Sequence, residues 1–157
     1  MGMLVGVIHL PALPGSPRAA LGAAECARSA ADDARALAAA GYDAIIVENF
    51  GDTPFFAARV PAVTVAAVTA CAVAVRAAAP AVALGINILR NDAESALSVA
   101  VCTGASFVRI NVHTGARVTD QGLVQGEAAT TLRLRRALGA EGVAIWADVD
   151  VKHSAPL

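Results

Sequence analysis

The segment ADVDVKHSAPL, at residues 147–157, is rich in side chains that could do acid/base chemistry. If residues 143–151 form a strand, its alternation places Asp148, Asp150 and Lys152 on one side. Paired carboxylates beside an ammonium group can act as general acid and base or hold a divalent cation. His153 would add a further acid/base or ligand group. The alternative is a solvated cluster of ion pairs that merely ends the strand.

A second candidate group lies in RINVHTGARVTDQG, at residues 109–122. Arg109 and Asn111 share one face of a strand, and the two-pronged guanidinium suits a phosphate or carboxylate. Equally, Arg109 would have a purely structural role if it paired with a carboxylate of a neighbouring strand, such as Glu48 or Asp148. The long polar loop that follows is bracketed by glycines. We interpret it as a candidate mobile lid that carries Asp120 as a candidate acid.

Polar side chains also follow the other apolar runs of the sequence. The candidates for substrate binding are His9, Glu48, Asn49, Asn87, Arg90, Asn91, Arg109 and Asn111. His9 shares the parity of Val5 and Val7, and a buried, hydrogen-bonded histidine is favoured there over a catalyst. Glu48 would bind a metal or take a proton, whereas helix capping explains the nearby Asp52 equally well.

The third of these polar clusters, LRNDAESAL, opens a predicted helix. Asn87, Arg90 and Asn91 would bind an oxyanion where the free backbone N–H groups of that helix gather. Asp92 competes with this interpretation, because its carboxylate can cap the same N–H groups.

Five short runs rich in Val and Ile have the length of buried parallel strands. They cover residues 4–10, 43–49, 81–89, 106–112 and 143–151. Between them lie Ala-rich helical stretches at about 23–40, 62–79, 91–104 and 127–140. This alternation predicts a parallel sheet with helical crossovers. Because the carboxyl ends of such strands share one edge, the polar groups above are expected to converge there.

Two architectures fit this pattern, an open doubly wound sheet and a (β/α)8 TIM barrel. The first strand-to-helix turn, HLPALPGSPRAALG, contains no GxGxxG, which argues against a dinucleotide-binding fold. The sequence also contains no P-loop, GxSxG or HExxH motif. The pattern therefore predicts a site without naming its reaction.

Composition limits the remaining classes. The net charge of −1 and the aromatic content of 4% argue against a nucleic-acid partner. Three scattered cysteines and an apolar N-terminus without a basic region predict a cytoplasmic protein. The uncharged run at 60–75 is expected to be a packed helix rather than a membrane span. With 157 residues, the chain is expected to form a single domain over residues 1–157.

Five strings in this sequence resemble the BtpA family in the same order. They are VGVIHLPALPGSP, IIVENFGDTPF, GINILRNDAESAL, FVRINVHTGARVTDQGLVQGEA and ADVDVKHSAPL. The resemblance implies a TIM barrel of about 250 residues. This chain would be its N-terminal part, with about five βα units in an incomplete barrel, as a fragment, a truncated gene product or a natural short form.

The family is associated with biogenesis of photosystem I, so the resemblance implies a role in assembling or stabilising that or another membrane complex. A polar small-molecule site at the mouth of the barrel is expected to accompany this role. The alternative is a lyase, isomerase or phosphohydrolase acting on a small phosphorylated substrate, with a divalent cation as one expected cofactor. Peripheral membrane association and a homo-oligomer that completes its barrel by self-association are further expectations.

Overall fold

The computed structural model describes residues 2–157. The strands are β1 Val5–His9, β2 Ala44–Glu48, β3 Ala83–Asn87, β4 Phe107–Ile110, β5 Ala116–Thr119, β6 Gly122–Gln125, β7 Ala144–Ala147 and β8 Ser154–Pro156. The helices are α1 Ala23–Ala39, α2 Ala62–Ala78, α3 Ala93–Thr103 and α4 Ala128–Ala137.

The main sheet has the order β1-β2-β3-β4-β7, and each neighbouring pair is parallel. These are the five Val- and Ile-rich runs, so the predicted α/β fold with a parallel sheet and helical crossovers is confirmed. In the strand register, His9 stands beside Glu48 and Glu48 beside Asn87. The carboxyl ends of the strands therefore bring polar side chains from distant parts of the sequence onto one edge.

The Ala-rich segments form helices because alanine has the highest intrinsic helix propensity. The chain leaves α1 through Gly41, whose φ of 82° is strained for any residue with a Cβ. Helix α3 begins at Asp92, whose carboxylate accepts a hydrogen bond from the Ser95 N–H, and it ends at Gly104 in the left-handed region. These caps set the lengths of the crossovers.

The sheet has an outer face that packs against α1, α2 and α3. Its residues are Ile8, Ile45, Val47, Leu84, Ile86 and Val108, all almost completely buried. Cys26 on α1 and Cys71 on α2 lie in the same core. Burying each large aliphatic side chain contributes about 2 kcal/mol relative to exposure. This face therefore supplies most of the apolar burial.

The inner face carries the alternate residues of the same strands. The Phe107 ring lies against Gly85, where an added Cβ would stand 2.2 Å from Phe107 Cε2. Phe107 also stacks on Trp146 with 3.7 Å between ring centroids. No helix among residues 2–157 covers this face at β1, and Val7 remains 38% exposed. The inner face is thus an apolar floor that is open on one side.

A second, three-stranded antiparallel sheet with the order β6-β5-β8 was not expected from the sequence. The region predicted as a long polar loop instead forms the β5–β6 hairpin, which turns at Asp120 and Gln121 and enters β6 at Gly122 with φ 94°. The last strand of the main sheet ends at Ala147 and not at 151. Beyond it, Val151 packs with Val112 and Val124, and β8 pairs with β5. The tail therefore folds back onto the hairpin.

Helix α2 covers the long uncharged run and is packed against α1 and α3, as expected. Of the helices within residues 2–157, none has the length and apolar character needed to cross a membrane.

Candidate functional site

A cavity of about 330 Å³ opens at the carboxyl ends of the main-sheet strands, and we call it the mouth. It is lined by His9, Glu48, Phe50, Phe55, Leu89, Arg90, Arg109, Asn111, Asp148, Val151, Lys152 and His153. These residues come from both ends of the sequence. Most of the predicted site residues thus meet in one place, although the bottom of the cavity and its rim differ in character.

The bottom of the mouth is a network built around Arg109. Its Nε and Nη2 donate to the two carboxylate oxygens of Asp148 at 2.8 and 2.9 Å. Its Nη1 lies 3.4 Å from Glu48 Oε2, and Asn111 Nδ2 donates to Asp148 at 2.9 Å. The hydrogen bond to Asp148 raises the pKa of Arg109. The predicted structural pairing of Arg109 with Glu48 and Asp148 is therefore present, and its guanidinium is occupied.

Glu48 connects this network to the first strands. It is buried and accepts a hydrogen bond of 2.8 Å from Asn87 Nδ2. Its Oε1 lies 3.6 Å from His9 Nε2. The His9 side chain is 53% exposed and stacks on Phe50 with 4.3 Å between centroids. The favoured prediction of a buried histidine is wrong, because β1 is an edge strand whose inner face is open.

Two buried amide oxygens in this region, Asn87 Oδ1 and Asn111 Oδ1, have no hydrogen-bond partner within residues 2–157. An unpaired buried acceptor costs about 1–3 kcal/mol, so such groups usually find a donor in water or a ligand. Asn111 lines the mouth. Its carbonyl is therefore an acceptor open to a hydrogen-bond donor of a water or a ligand, such as a hydroxyl group.

The rim of the mouth carries cationic side chains. The Arg90 guanidinium lies 5.0 Å above the Phe55 ring, donates to Gln121 at 2.9 Å and lies 3.4 Å from Asp120. A guanidinium has five donors, so Arg90 keeps some for a ligand. Lys152, the single lysine of the sequence, is exposed, and none of the salt bridges within residues 2–157 uses it. Because Asp120 pairs with Arg90, the positive charge of the rim that stays unpaired is that of Lys152, and this charge favours an anion.

The model of the BtpA family matches residues 2–157. The chain belongs to the BtpA family. The Photosystem I biogenesis protein BtpA of Synechocystis sp. is 49% identical over 156 residues, which cover 98% of this chain and 53% of that protein. An uncharacterized protein of Pyrococcus furiosus is 44% identical over 96% of this chain and 56% of that protein.

This BtpA-family chain thus spans about half the length of these relatives. Among solved structures, one titled "PhdJ bound to substrate intermediate" is similar with a TM-score of 0.55 and 17% identity. The match covers 91% of this chain and 42% of that one. The likeness is one of fold alone, to a TIM-barrel-like protein.

Asp150 does not reach the mouth of this BtpA-family chain. It forms an ion pair with Arg117 of β5, and its side chain is 77% exposed. The predicted shared face is wrong for Asp150, because the strand ends at Ala147 and the alternation stops there, whereas Asp148 and Lys152 both line the mouth. Asp148 is therefore separated from its expected carboxylate partner.

Asn49 and Asp52 hold loops together rather than facing the mouth. The Asn49 side-chain carbonyl accepts from the Leu89 N–H, and its Nδ2 donates to Asp52. The other Asp52 oxygen accepts from the Leu13 N–H at 2.8 Å. Asp52 therefore links the β1–α1 and β2–α2 loops, and the prediction that it caps a helix is wrong.

The predicted oxyanion cluster at the start of α3 is also wrong. Asp92 caps this helix, as the competing interpretation held. Asn91 instead bonds to both the N–H and the carbonyl of Val112, while Asn87 lies within the sheet. Asp120 lies at the rim, paired with Arg90, outside the residues that line the mouth.

Sequence reasoning missed the aromatic wall of the mouth, which Phe50 and Phe55 provide. A signal was present, because three of the four phenylalanines of the chain fall within residues 50–56. The divalent cation that was one expected cofactor does not fit the residues of the mouth. The Arg109 guanidinium lies between Glu48 and Asp148, and residues 2–157 contain no cluster of three His, Cys, Asp or Glu suited to a metal.

Proposed function

We propose that this chain acts in the biogenesis or stabilisation of photosystem I or another membrane complex by binding a small anionic molecule at the mouth. The name of the Synechocystis relative supplies the biological role. The observation that carries the site is the contrast between its bottom, where Arg109 is already paired with Glu48 and Asp148, and its rim, which carries Arg90 and Lys152. With Arg109 occupied by Asp148, an anion would be held by Arg90 and Lys152.

The ligand would combine this anionic group with a hydroxyl or similar donor. Asn111 Oδ1 is an unpaired buried acceptor at the bottom, and the Phe50 and Phe55 rings form an apolar wall. A small phosphorylated molecule with hydroxyl groups satisfies the first two requirements, and its carbon skeleton would lie against the aromatic rings. A cytoplasmic location with peripheral attachment to a membrane would accompany this role.

A single lysine makes the test of binding direct. Reductive methylation of the full chain with ¹³C-formaldehyde labels only Lys152 and the N-terminal amine. Titration with glycerol 3-phosphate is expected to shift the Lys152 signal in a saturable manner, whereas glycerol shifts it much less. The N-terminal signal serves as an internal control.

Two arginine variants provide the matched comparison. Arg90→Ala should weaken glycerol 3-phosphate binding at least tenfold, since it removes a charge-assisted contact of about 1.5–3 kcal/mol. Arg133→Ala, an exposed residue of α4, should leave binding unchanged. Equal responses to glycerol and glycerol 3-phosphate, or equal effects of the two variants, would overturn the proposed anion site.

The biological role needs a separate test in cells. A chimera would carry residues 2–157 of this chain in place of the matching half of Synechocystis BtpA, in a strain that lacks its own copy. We expect the chimera to restore photosystem I content, measured as P700 absorbance, and its Lys152→Ala form to restore little. If both forms restored P700 equally, the mouth would have no part in the role; if neither did, the role would not transfer to this chain.

A second candidate function is an enzyme of the lyase, isomerase or phosphohydrolase type on a phosphorylated metabolite. The observation that favours it is the His9–Glu48 pair, since a histidine beside a buried carboxylate can accept a proton from a ligand at the mouth. If this second function is right, His9→Gln in the chimera should abolish turnover of the phosphorylated metabolite. The melting temperature of the variant should stay within about 2 °C of that of the unchanged chimera. Retention of turnover by His9→Gln would exclude His9 as the base.

We also propose that the five strands are part of a closed TIM barrel. The open apolar floor around Val7 and Trp146 supports this, because a large exposed apolar patch normally has a partner. The covering strands would come from further residues or from a second copy of the chain. Sedimentation equilibrium and thermal melting of one sample test this. A cooperative melt as an oligomer supports self-completion, and a cooperative melt as a monomer would exclude any need for closure.

A further inference from the structure

A second cavity, of about 310 Å³, adjoins the mouth. Its walls come from the β1–α1 loop at Gly15, Ser16 and Pro17, from the β2–α2 loop, and from Val60 and Thr64 at the start of α2. Nearly all of it is built by the first two βα units. Its size falls at the lower end of the range of small-molecule pockets, about 300–1,000 Å³.

The loops that enclose this cavity are held in place without a ligand. Asp52 bridges the two loops through the Leu13 N–H, and Asn49 fixes Leu89. The two loops also touch at Gly51, whose added Cβ would lie 2.3 Å from the backbone nitrogen of Ala12. The cavity is thus preformed, which lowers the entropic cost of binding.

The lining is mainly apolar and carries no positive charge. Its large side chains are Pro17, Pro54, Phe55, Phe56, Val60 and Leu89. Within residues 2–157, no Lys or Arg lines it, whereas the Asp52 carboxylate does. An anion would therefore be repelled here, in contrast to the mouth with its cationic rim. An uncharged ligand fits best.

One polar group in the wall lacks a partner. The Ser16 hydroxyl is buried and makes no hydrogen bond within residues 2–157. Change of a single χ1 rotamer redirects a serine hydroxyl, so Ser16 can pair with a group placed in the cavity. Thr64 lines the cavity near the start of α2 and adds a second hydroxyl.

We propose that this cavity binds a small, uncharged, mainly aromatic molecule whose single hydroxyl or carbonyl pairs with Ser16. The site is distinct from the mouth in charge and in position. Phe55 and Leu89 line both cavities, and Arg90 lies over the Phe55 ring. Phe55 and Leu89 are therefore the wall shared by the two sites.

The test uses three probes of similar size on the full chain, namely phenol, toluene and benzoate. Methyl signals of Val60 and Thr64 report the cavity, and those of Val7 and Val151 report the inner face and the mouth. Phenol is expected to shift the first pair in a saturable manner. Toluene should bind at the same place about fivefold more weakly, since it lacks one ordinary hydrogen bond, and benzoate should bind more weakly still.

Two pairs of variants make the assignment specific. Ser16→Ala should reduce phenol affinity to that of toluene, whereas Ser29→Ala, on the exposed side of α1, should not. Phe56 is half exposed at the edge of the cavity, and Phe56→Ala should weaken the binding of phenol and toluene severalfold. Phe50 lies at the mouth, and Phe50→Ala should weaken the binding of neither probe. Because Phe56 is exposed, this second pair reports even if Ser16→Ala fails to fold.

Three results would overturn the proposal. They are the absence of saturable shifts at Val60 and Thr64, an unchanged preference for phenol in Ser16→Ala, and a larger effect of Phe50→Ala than of Phe56→Ala. The last result would place the probe in the mouth. None of these results bears on Lys152 and glycerol 3-phosphate, so the proposed anion site stands or fails separately.

Discussion

The two faces of the main sheet are built from alternate residues of the same strands, yet one face packs against helices and the other contributes to the mouth. On the outer face, Ile8, Val47 and Ile86 are almost completely buried beneath helices. On the inner face, their neighbours His9 and Glu48 belong to the mouth. Because successive side chains of a strand point to opposite faces, one residue contributes to the packed core and the next one contributes to the mouth.

This separation means that a substitution can be directed at one property. The outer face is close-packed, so a change of volume there alters the free energy of unfolding. At the carboxyl ends of the strands, the inner face is a hydrogen-bonded network around Arg109 with an open cavity above it. A change there is expected to act through ion pairing and ligand affinity, and to lower the free energy of unfolding less than a cavity on the outer face does.

The largest effect is expected from Ile86→Ala on the outer face. Ile86 is fully buried, so its truncation leaves a cavity and should lower the free energy of unfolding by about 3–4 kcal/mol. Val7→Ala, on the half-open inner face, is the matched control and should cost less than about 1 kcal/mol. Urea denaturation of both variants measures the difference. Equal losses would mean that the inner face is as well packed as the outer one.

The next effect concerns the network. Asp148→Ala leaves the partly buried Arg109 guanidinium without its bidentate partner and should destabilise the chain by about 2–3 kcal/mol. Asp150→Ala removes an exposed pair with Arg117 and should cost at most about 0.5 kcal/mol. Thermal unfolding of the two variants side by side gives the contrast. Comparable losses would show that burial of the network contributes little.

The sequence was informative where a pattern is periodic and uninformative where it depends on tertiary contacts. The five strands follow from apolar runs that alternate with Ala-rich helical stretches. Because parallel strands share one direction, the side chains at their carboxyl ends converge, namely His9, Glu48, Arg109 and Asp148. The small antiparallel sheet could not be predicted in this way. Its strands have only three or four residues each, and β8 is specified by its pairing with β5.

The errors at the site have the same origin. The strand period predicts that Asp150 lies on the face of Asp148, but the chain leaves the sheet after Ala147, and Val151 packs with Val112 and Val124. That contact joins residues that are distant in sequence. No local pattern indicates it, whereas the helix cap at Asp92 is local and was among the predicted alternatives.

A smaller effect is expected from crowding the floor of the inner face. Gly85→Ala would force the Phe107 ring away from β3, at a cost of about 1–2 kcal/mol for an overpacked core. Trp146, the single tryptophan, stacks on that ring, so its fluorescence emission should shift as the stack separates. Gly142→Ala is the control, because nothing lies within 4 Å of its added Cβ. An unchanged emission in Gly85→Ala would mean that the stack does not depend on the glycine.

The smallest effect is expected in the pH dependence of the free energy of unfolding, which reports on the buried Cys71 thiol of the outer core. Burial raises the pKa of Cys71 to about 12 from the ordinary value of 9.0. The folded chain thus keeps a proton that the unfolded chain releases above pH 9, so this stabilisation is complete below pH 9 and is lost as pH rises towards 12. Between pH 9 and pH 10 the loss should be about 1 kcal/mol. Urea denaturation at the two pH values should show this loss in the original chain and in Cys102→Ala, whose thiol is exposed, and a smaller loss in Cys71→Ala, where burial still raises the pKa of Cys26. If Cys71→Ala retained the full slope, the thiol would not be held neutral beneath the outer face, and some other group would be responsible for the alkaline loss.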